Sequence, residues 1–131
     1  MNSIKVAVEF SFKGESYALS AVVDFDEMLS KYDTMPSFHA ILARKNDIDT
    51  YSYLYEVMEE ADLEFSDATG LASQFLEEGR FDSEGFSGAW RESRVLDLLR
   101  PVAKRILDID LDSDPKLREA MLEAYRLGKG G

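Results

Sequence analysis

The chain of 131 residues has no cysteine, which removes disulfides, thiolate metal sites and cysteine nucleophiles together. His39 is its one histidine, so neither a His-rich metal site nor a catalytic His pair can form. Nowhere do about 18 apolar residues run together, and the first residues lack the apolar core of a secretion signal. A cytoplasmic protein that does not cross a membrane is therefore expected. With three prolines, no repeat and no low-complexity stretch, no linker is evident. The length suits a single domain over 1–131, with a frayed tail at 128–131.

Charge of one sign is missing locally. Between Asn46 and Gly79 there is no Lys, Arg or His, while ten carboxylates accumulate: Asp47, Asp49, Glu56, Glu59, Glu60, Asp62, Glu64, Asp67, Glu77 and Glu78. From Arg91 to Arg105 the balance reverses, with Arg91, Arg94, Arg100, Lys104 and Arg105 against Glu92 and Asp97. The formal charge is −11, which argues against nucleic acid and anionic lipid as partners because neither is attracted to a negative surface.

What is present is a folded composition, 45% hydrophobic and 11% aromatic. Ile4, Val6, Val8, Phe10 and Phe12 alternate with more polar residues, and Tyr17, Leu19, Ala21, Val23 and Phe25 do the same. A two-residue Gly14-Glu15 loop, Gly first as a type II′ turn prefers, pairs Phe12 with Tyr17 and Ile4 with Phe25, and sets Lys5 opposite Asp24. These ten residues then share one face. Such a ribbon is marginal alone, so the rest of the chain must cover it.

Beyond Phe25 the apolar period lengthens to that of a helix. One helix is expected after Pro36, carrying Phe38, Ile41 and Leu42, and a largely buried one over Tyr51–Met58 with Tyr53 and Val57 widening its stripe. Leu63 and Phe65 can add a short third strand. Ser66 suits the cap of a further helix through Leu71, Phe75 and Leu76, with Gly79 beyond its end. The stretch 79–90 reads as irregular, with Phe81, Phe86 and Trp90 plugging the core. Val95, Leu98, Leu99, Val102, Ile106 and Ile109 then mark one side of a longer helix that Pro101 must kink or break. Asp114 and Pro115 open the last helix, and Gly128 ends it. The expected fold is α+β: an N-terminal antiparallel β-hairpin, with a third strand at most, packed against about five helices.

Four groups could carry chemistry. Asp108, Asp110, Asp112, Asp114 and Glu119 fall at positions 1, 3, 5, 7 and 12 of a loop that resembles an EF-hand Ca²⁺ loop. Ser113 stands where that loop needs Gly, and Pro115, Ile109 and Leu111 also depart from it, so a helix end and a capped helix explain the string more simply. His39 could serve as a general base beside Ser37 or a tyrosine, but its neighbours Phe38 and Leu42 point to a structural role. Glu56, Glu59, Glu60 and Glu64 lack the histidines of a di-iron helix motif and read as a solvated face or a partner-binding face. Arg91, Arg94, Arg100 and Arg105 could hold an anion or contact another subunit. No cofactor is expected. The leading expectation is a small acidic, non-enzymatic interaction module that binds a basic protein surface or pairs with itself as a homodimer. The alternative is a small enzyme or ligand-binding domain using His39 and nearby carboxylates between hairpin and helices.

Overall fold

The hairpin forms, but its turn is Lys13-Gly14. Both residues have positive φ, 51° and 80°, as a type I′ turn requires. β1 (Ser3–Phe12) and β2 (Glu15–Asp24) therefore pair Phe12 with Glu15, Phe10 with Tyr17, Val6 with Ala21 and Ile4 with Val23. This differs by two residues from the register that a Gly14-Glu15 loop would set. Side chains alternate with a period of two, so the apolar face survives the change. Lys5 now faces Val22, and Ser3 faces Asp24. Phe25 is released from the ribbon to begin a helix. The computed structural model describes residues 1–32, 35 and 37–130.

A third strand, β3 (Leu63–Thr69), pairs antiparallel with β1 and gives the sheet order β2-β1-β3. Val6 lies opposite Phe65 and Val8 opposite Leu63, so β3 extends the same apolar face. An extra residue enters β3 between the Lys5–Ser66 and Ser3–Thr69 pairs, where Asp67 has φ 50°. Ser66 and Ala68 thus belong to a strand, which corrects the helix expected there. The stripe of Leu71, Phe75 and Leu76 does not run on from Ser66 as one helix. Gly70, at φ 64°, breaks it, and only a 3₁₀ segment follows at Gly70–Phe75. A second small hairpin comes next, β4 (Leu76–Glu77) with β5 (Arg80–Phe81), closed by Glu78-Gly79 with both φ positive. Gly79 is a turn residue rather than a helix terminator, and its carbonyl accepts from the Phe65 N–H at 3.1 Å, covering the free side of β3.

Helices α1 (Phe25–Lys31), α2 (Phe38–Lys45) and α3 (Tyr53–Glu59) are each opened by a side-chain cap, from Asp24, Ser37 and Ser52 respectively. Just before α3, Asp49 accepts from the Tyr51 N–H in the preceding turn. Pro36 lies outside the described residues. α4 runs from Ser83 to Leu107, with Asp82 accepting from the Gly85 N–H at its start, so the segment 83–90 is helical and not irregular. Pro101 sits inside α4 without dividing it. A 3₁₀ turn at Leu111–Ser113 leads to α5 (Pro115–Gly130), which continues past Gly128.

The molecule is therefore mixed α+β, with a three-stranded antiparallel sheet, a small second sheet, and five α-helices and two 3₁₀ segments among the described residues. No described helix is long and apolar enough to cross a membrane. The chain divides into two compact units, Met1–Phe86 and Ser87–Gly131.

In the first unit the core lies on one face of the sheet, where Ile4, Val6, Phe25, Leu42 and Met58 are fully buried. Six of the eight phenylalanines form one aromatic cluster. Phe25 stacks on Phe81 at 5.4 Å and lies 4.5 Å from Phe86, while Phe38 meets Phe65 edge-on at 5.0 Å. Phe81 and Phe86 thus plug the core as expected. The other sheet face, with Lys5, Glu9, Ser20 and Val22, is exposed.

In the second unit, Trp90, Ala103, Leu111 and Leu122 are buried, and the Ile109 N–H donates to the Ala103 carbonyl where α4 ends. The stripe expected to face inward is only partly inside. Leu98 and Ile106 are 64% and 66% exposed.

Candidate functional site

The acidic segment 46–79 is spread over α3, β3 and the β4–β5 hairpin. Among the described residues none of its ten carboxylates lies within ion-pairing distance of a cation; the salt bridges elsewhere use Glu27, Asp97, Asp112, Asp108, Glu92 and Glu119. Charge is also divided between the two units. The first carries 18 carboxylates against six Lys and Arg, the second eight against nine.

On α3 the inward residues are Tyr55 and Met58. Tyr51 and Tyr53, expected in the core, are 96% and 76% exposed. The correction has a simple cause: Ser52 caps α3, so Tyr51 precedes the helix, and Tyr53 starts it on the face opposite the sheet. Tyr53, Glu56 and Glu60 then follow at i, i+3 and i+7, with exposed Glu59 beside them. Glu64 continues the fourfold spacing in sequence but not in space. It lies on β3 opposite Ala7, on the open face of the sheet. The surface that emerges is two exposed phenol rings next to three exposed carboxylates. Sequence reasoning missed the tyrosines, although the capping-prone Ser52 between them was the available sign.

His39 holds structure together. Its Nε2 donates to the Ala61 carbonyl at 3.0 Å, tying α2 to the turn after α3. Ser37, its suggested hydroxyl partner, is occupied as the α2 cap and accepts from the Ala40 N–H. The carboxylates nearest the hairpin's end are engaged too: Asp24 caps α1, and Asp26 accepts from both the backbone and the side-chain N–H of Asn2, at 2.8 and 3.0 Å.

The Asp-rich string 108–119 does not converge on a point. Asp108 pairs with Lys104 at 2.7 Å and Asp112 with Arg100 at 3.2 Å, whereas Asp110 accepts from the Asp112 N–H and Asp114 from the Leu117 N–H. Glu119 lies 3.8 Å from Arg126. Among the described residues no group of three or more His, Asp or Glu could hold a metal ion.

The four arginines part company. Arg91 donates to Ser87 Oγ, Arg94 lies 4.8 Å over the Trp90 ring, and Arg100 bridges Asp97 and Asp112. Arg105 is exposed. Arg91 lines a groove. That groove runs between α4 and α5, also bordered by Gly88, Val95, Leu122, Tyr125, Arg126 and Lys129.

No protein-family model, curated protein or solved structure matches the chain. The functional reading rests on the chemistry of these surfaces.

Proposed function

We propose that the protein is a non-enzymatic interaction module whose α3 face binds a basic protein surface. The observation that carries this reading is the pairing of exposed Tyr51 and Tyr53 with exposed, unpaired Glu56, Glu59 and Glu60. Tyrosines with a wet hydroxyl and an apolar ring are enriched at interface centres, and an arginine can stack on such a ring while its fork reaches a carboxylate. Like charges one helical turn apart also repel, by a few tenths of a kcal/mol per pair, and a cationic partner relieves that repulsion. Self-association is the other form of this reading, with the segment Arg91–Arg105 of a second copy as the basic surface.

Calorimetric titration with an arginine-rich peptide and its lysine counterpart tests it. Binding should weaken with salt, favour arginine, and fall in both the Tyr51→Ala/Tyr53→Ala and the Glu56→Gln/Glu60→Gln variants. Salt-independent binding, or binding that neither double variant changes, would remove the proposal. Sedimentation at low and high salt separates a homodimer from a module that waits for a different partner.

A further inference from the structure

The groove between α4 and α5 lies wholly within the second unit and has a volume of about 490 Å³. Sites for small organic molecules span roughly 300–1,000 Å³, mostly apolar with a few polar groups to orient the ligand. Here Val95, Leu122 and the Tyr125 ring supply the apolar wall, and Arg91, Arg126 and Lys129 border it. Glu92 is the one carboxylate on the border and is already paired with Arg126 at 3.2 Å. Arg126 also approaches Glu119, at 3.8 Å, whereas Lys129 takes part in none of the ion pairs among the described residues. In a chain of formal charge −11, three cations and one carboxylate border this groove, and Lys129 stands outside the ion pairs among the described residues.

A second observation comes from Gly88. Glycine inside a helix costs about 1 kcal/mol relative to alanine, so it calls for a reason. Gly85, one turn earlier, has one: a Cβ there would come within 2.3 Å of Asp82 Oδ2 and 3.0 Å of the Phe75 ring. At Gly88 a Cβ would meet nothing within 4 Å. What the missing side chain leaves is room in the groove.

We infer that this groove binds an anionic amphiphile, a small carboxylate whose apolar body lies along Val95, Leu122 and Tyr125 over the space at Gly88. Its head group meets Lys129 and Arg126. The site is separate from the α3 face and stands or falls without it.

Decanoate, held below its micelle concentration, is a suitable probe, with decanol and acetate as controls and amide chemical shifts as the readout. Decanoate should shift Gly88, Val95, Leu122 and Lys129, and each control, lacking one half of the ligand, should bind more weakly. Arg126→Gln/Lys129→Gln should raise the Kd at least about fivefold, the scale of one exposed charge pair. Gly88→Leu should abolish binding without lowering the Tm, because leucine is the better helix former; Gly88→Ala, the milder variant, should weaken it in part. The inference is overturned if decanoate moves no groove amide, if decanol binds as well as decanoate, or if the substitutions leave the Kd unchanged. Tighter binding of an acidic peptide at the same amides would also overturn it, in favour of a protein ligand.

Discussion

At the scale of single residues, Gly70 shows how one position can stop a pattern. Its φ of 64° suits glycine, and a Cβ there would come within 2.4 Å of both Asn2 Oδ1 and the Met1 carbonyl. Asn2 is a junction: it donates to Asp26 of α1 and accepts from the Leu71 N–H at 2.6 Å. Gly70→Ala should therefore cost about 2–4 kcal/mol by urea unfolding, with both left-handed strain and a clash against backbone. Gly14, at φ 80° with nothing within 4 Å, isolates the first effect, and Gly14→Ala should cost about 1 kcal/mol. Equal losses at the two sites would show that the clash relaxes freely.

Tyr17 offers a titration test. Its hydroxyl donates to Glu15 Oε2 at 3.0 Å, and that hydrogen bond, helped by burial and by the Glu15 charge, pushes the phenol above its ordinary value of 10.0. The protonated phenol is thus favoured in the folded state. The stability it lends is complete below the unfolded pKa and is lost as pH rises through the folded one. Ring resonances should show Tyr17 ionising above the ordinary range of a phenol, and Glu15→Gln should bring it down. An unchanged titration in that variant would show that the carboxylate is not the cause.

At the scale of elements, two hairpins share one turn chemistry. Lys13-Gly14 and Glu78-Gly79 both place an ordinary residue at positive φ ahead of a glycine, with φ 51° at Lys13 and 49° at Glu78. Asparagine tolerates that conformation better, so Lys13→Asn and Glu78→Asn should each recover part of the roughly 1–2 kcal/mol that it costs. The gains should differ. Lys13 Nζ lies 5.3 Å from the Phe12 ring centroid, a contact the substitution removes, whereas Glu78 has no such contact and belongs to the repelling acidic stretch. Denaturation midpoints should rise more for Glu78→Asn. A larger rise for Lys13→Asn would mean that neither the ring contact nor the local charge weighs as argued.

The same turns explain what could be read in the sequence. Strict alternation made the hairpin and its buried face legible, because any two-residue shift of register keeps the faces. The register itself was not legible, since Gly14 can stand first or second in a two-residue loop. Leu63 and Phe65 announced β3, but its continuation through Thr69 was hidden by a stripe that fits a helix equally well. On α3 the period correctly gave Tyr55 and Met58 as inward, but the start of the helix, and so the fate of Tyr51 and Tyr53, depended on which residue capped it. The groove of Gly88, Arg126 and Lys129 could not be read at all, because α4 and α5 contribute to it from positions more than 30 residues apart.

Over the whole molecule the dominant fact is that the surplus of negative charge belongs to the first unit, with 18 carboxylates against six cations, while the second is nearly balanced. Exposed charges interact across about 10 Å at 0.1 M salt and across about 30 Å at 0.01 M, so low salt leaves the carboxylates of the first unit in mutual repulsion. In the second unit Asp97, Asp108, Asp112, Glu92 and Glu119 already face cations, and salt screens attraction there. Salt should therefore act with opposite sign in the two units. Raising it to a physiological level should slow hydrogen exchange at Val6, Val8 and Val23, by up to about fivefold given the worth of exposed charge interactions. Exchange at Ala103 and Leu122 should stay level or quicken. Trp90, the one tryptophan, reports on the second unit by fluorescence and should show no gain in that unit's resistance to urea. A uniform rise in protection across both units would mean that salt acts through burial and not through the uneven charge. A fall in the first unit would mean that its carboxylates are held by cations after all, and the proposed acidic face on α3 would lose its physical basis.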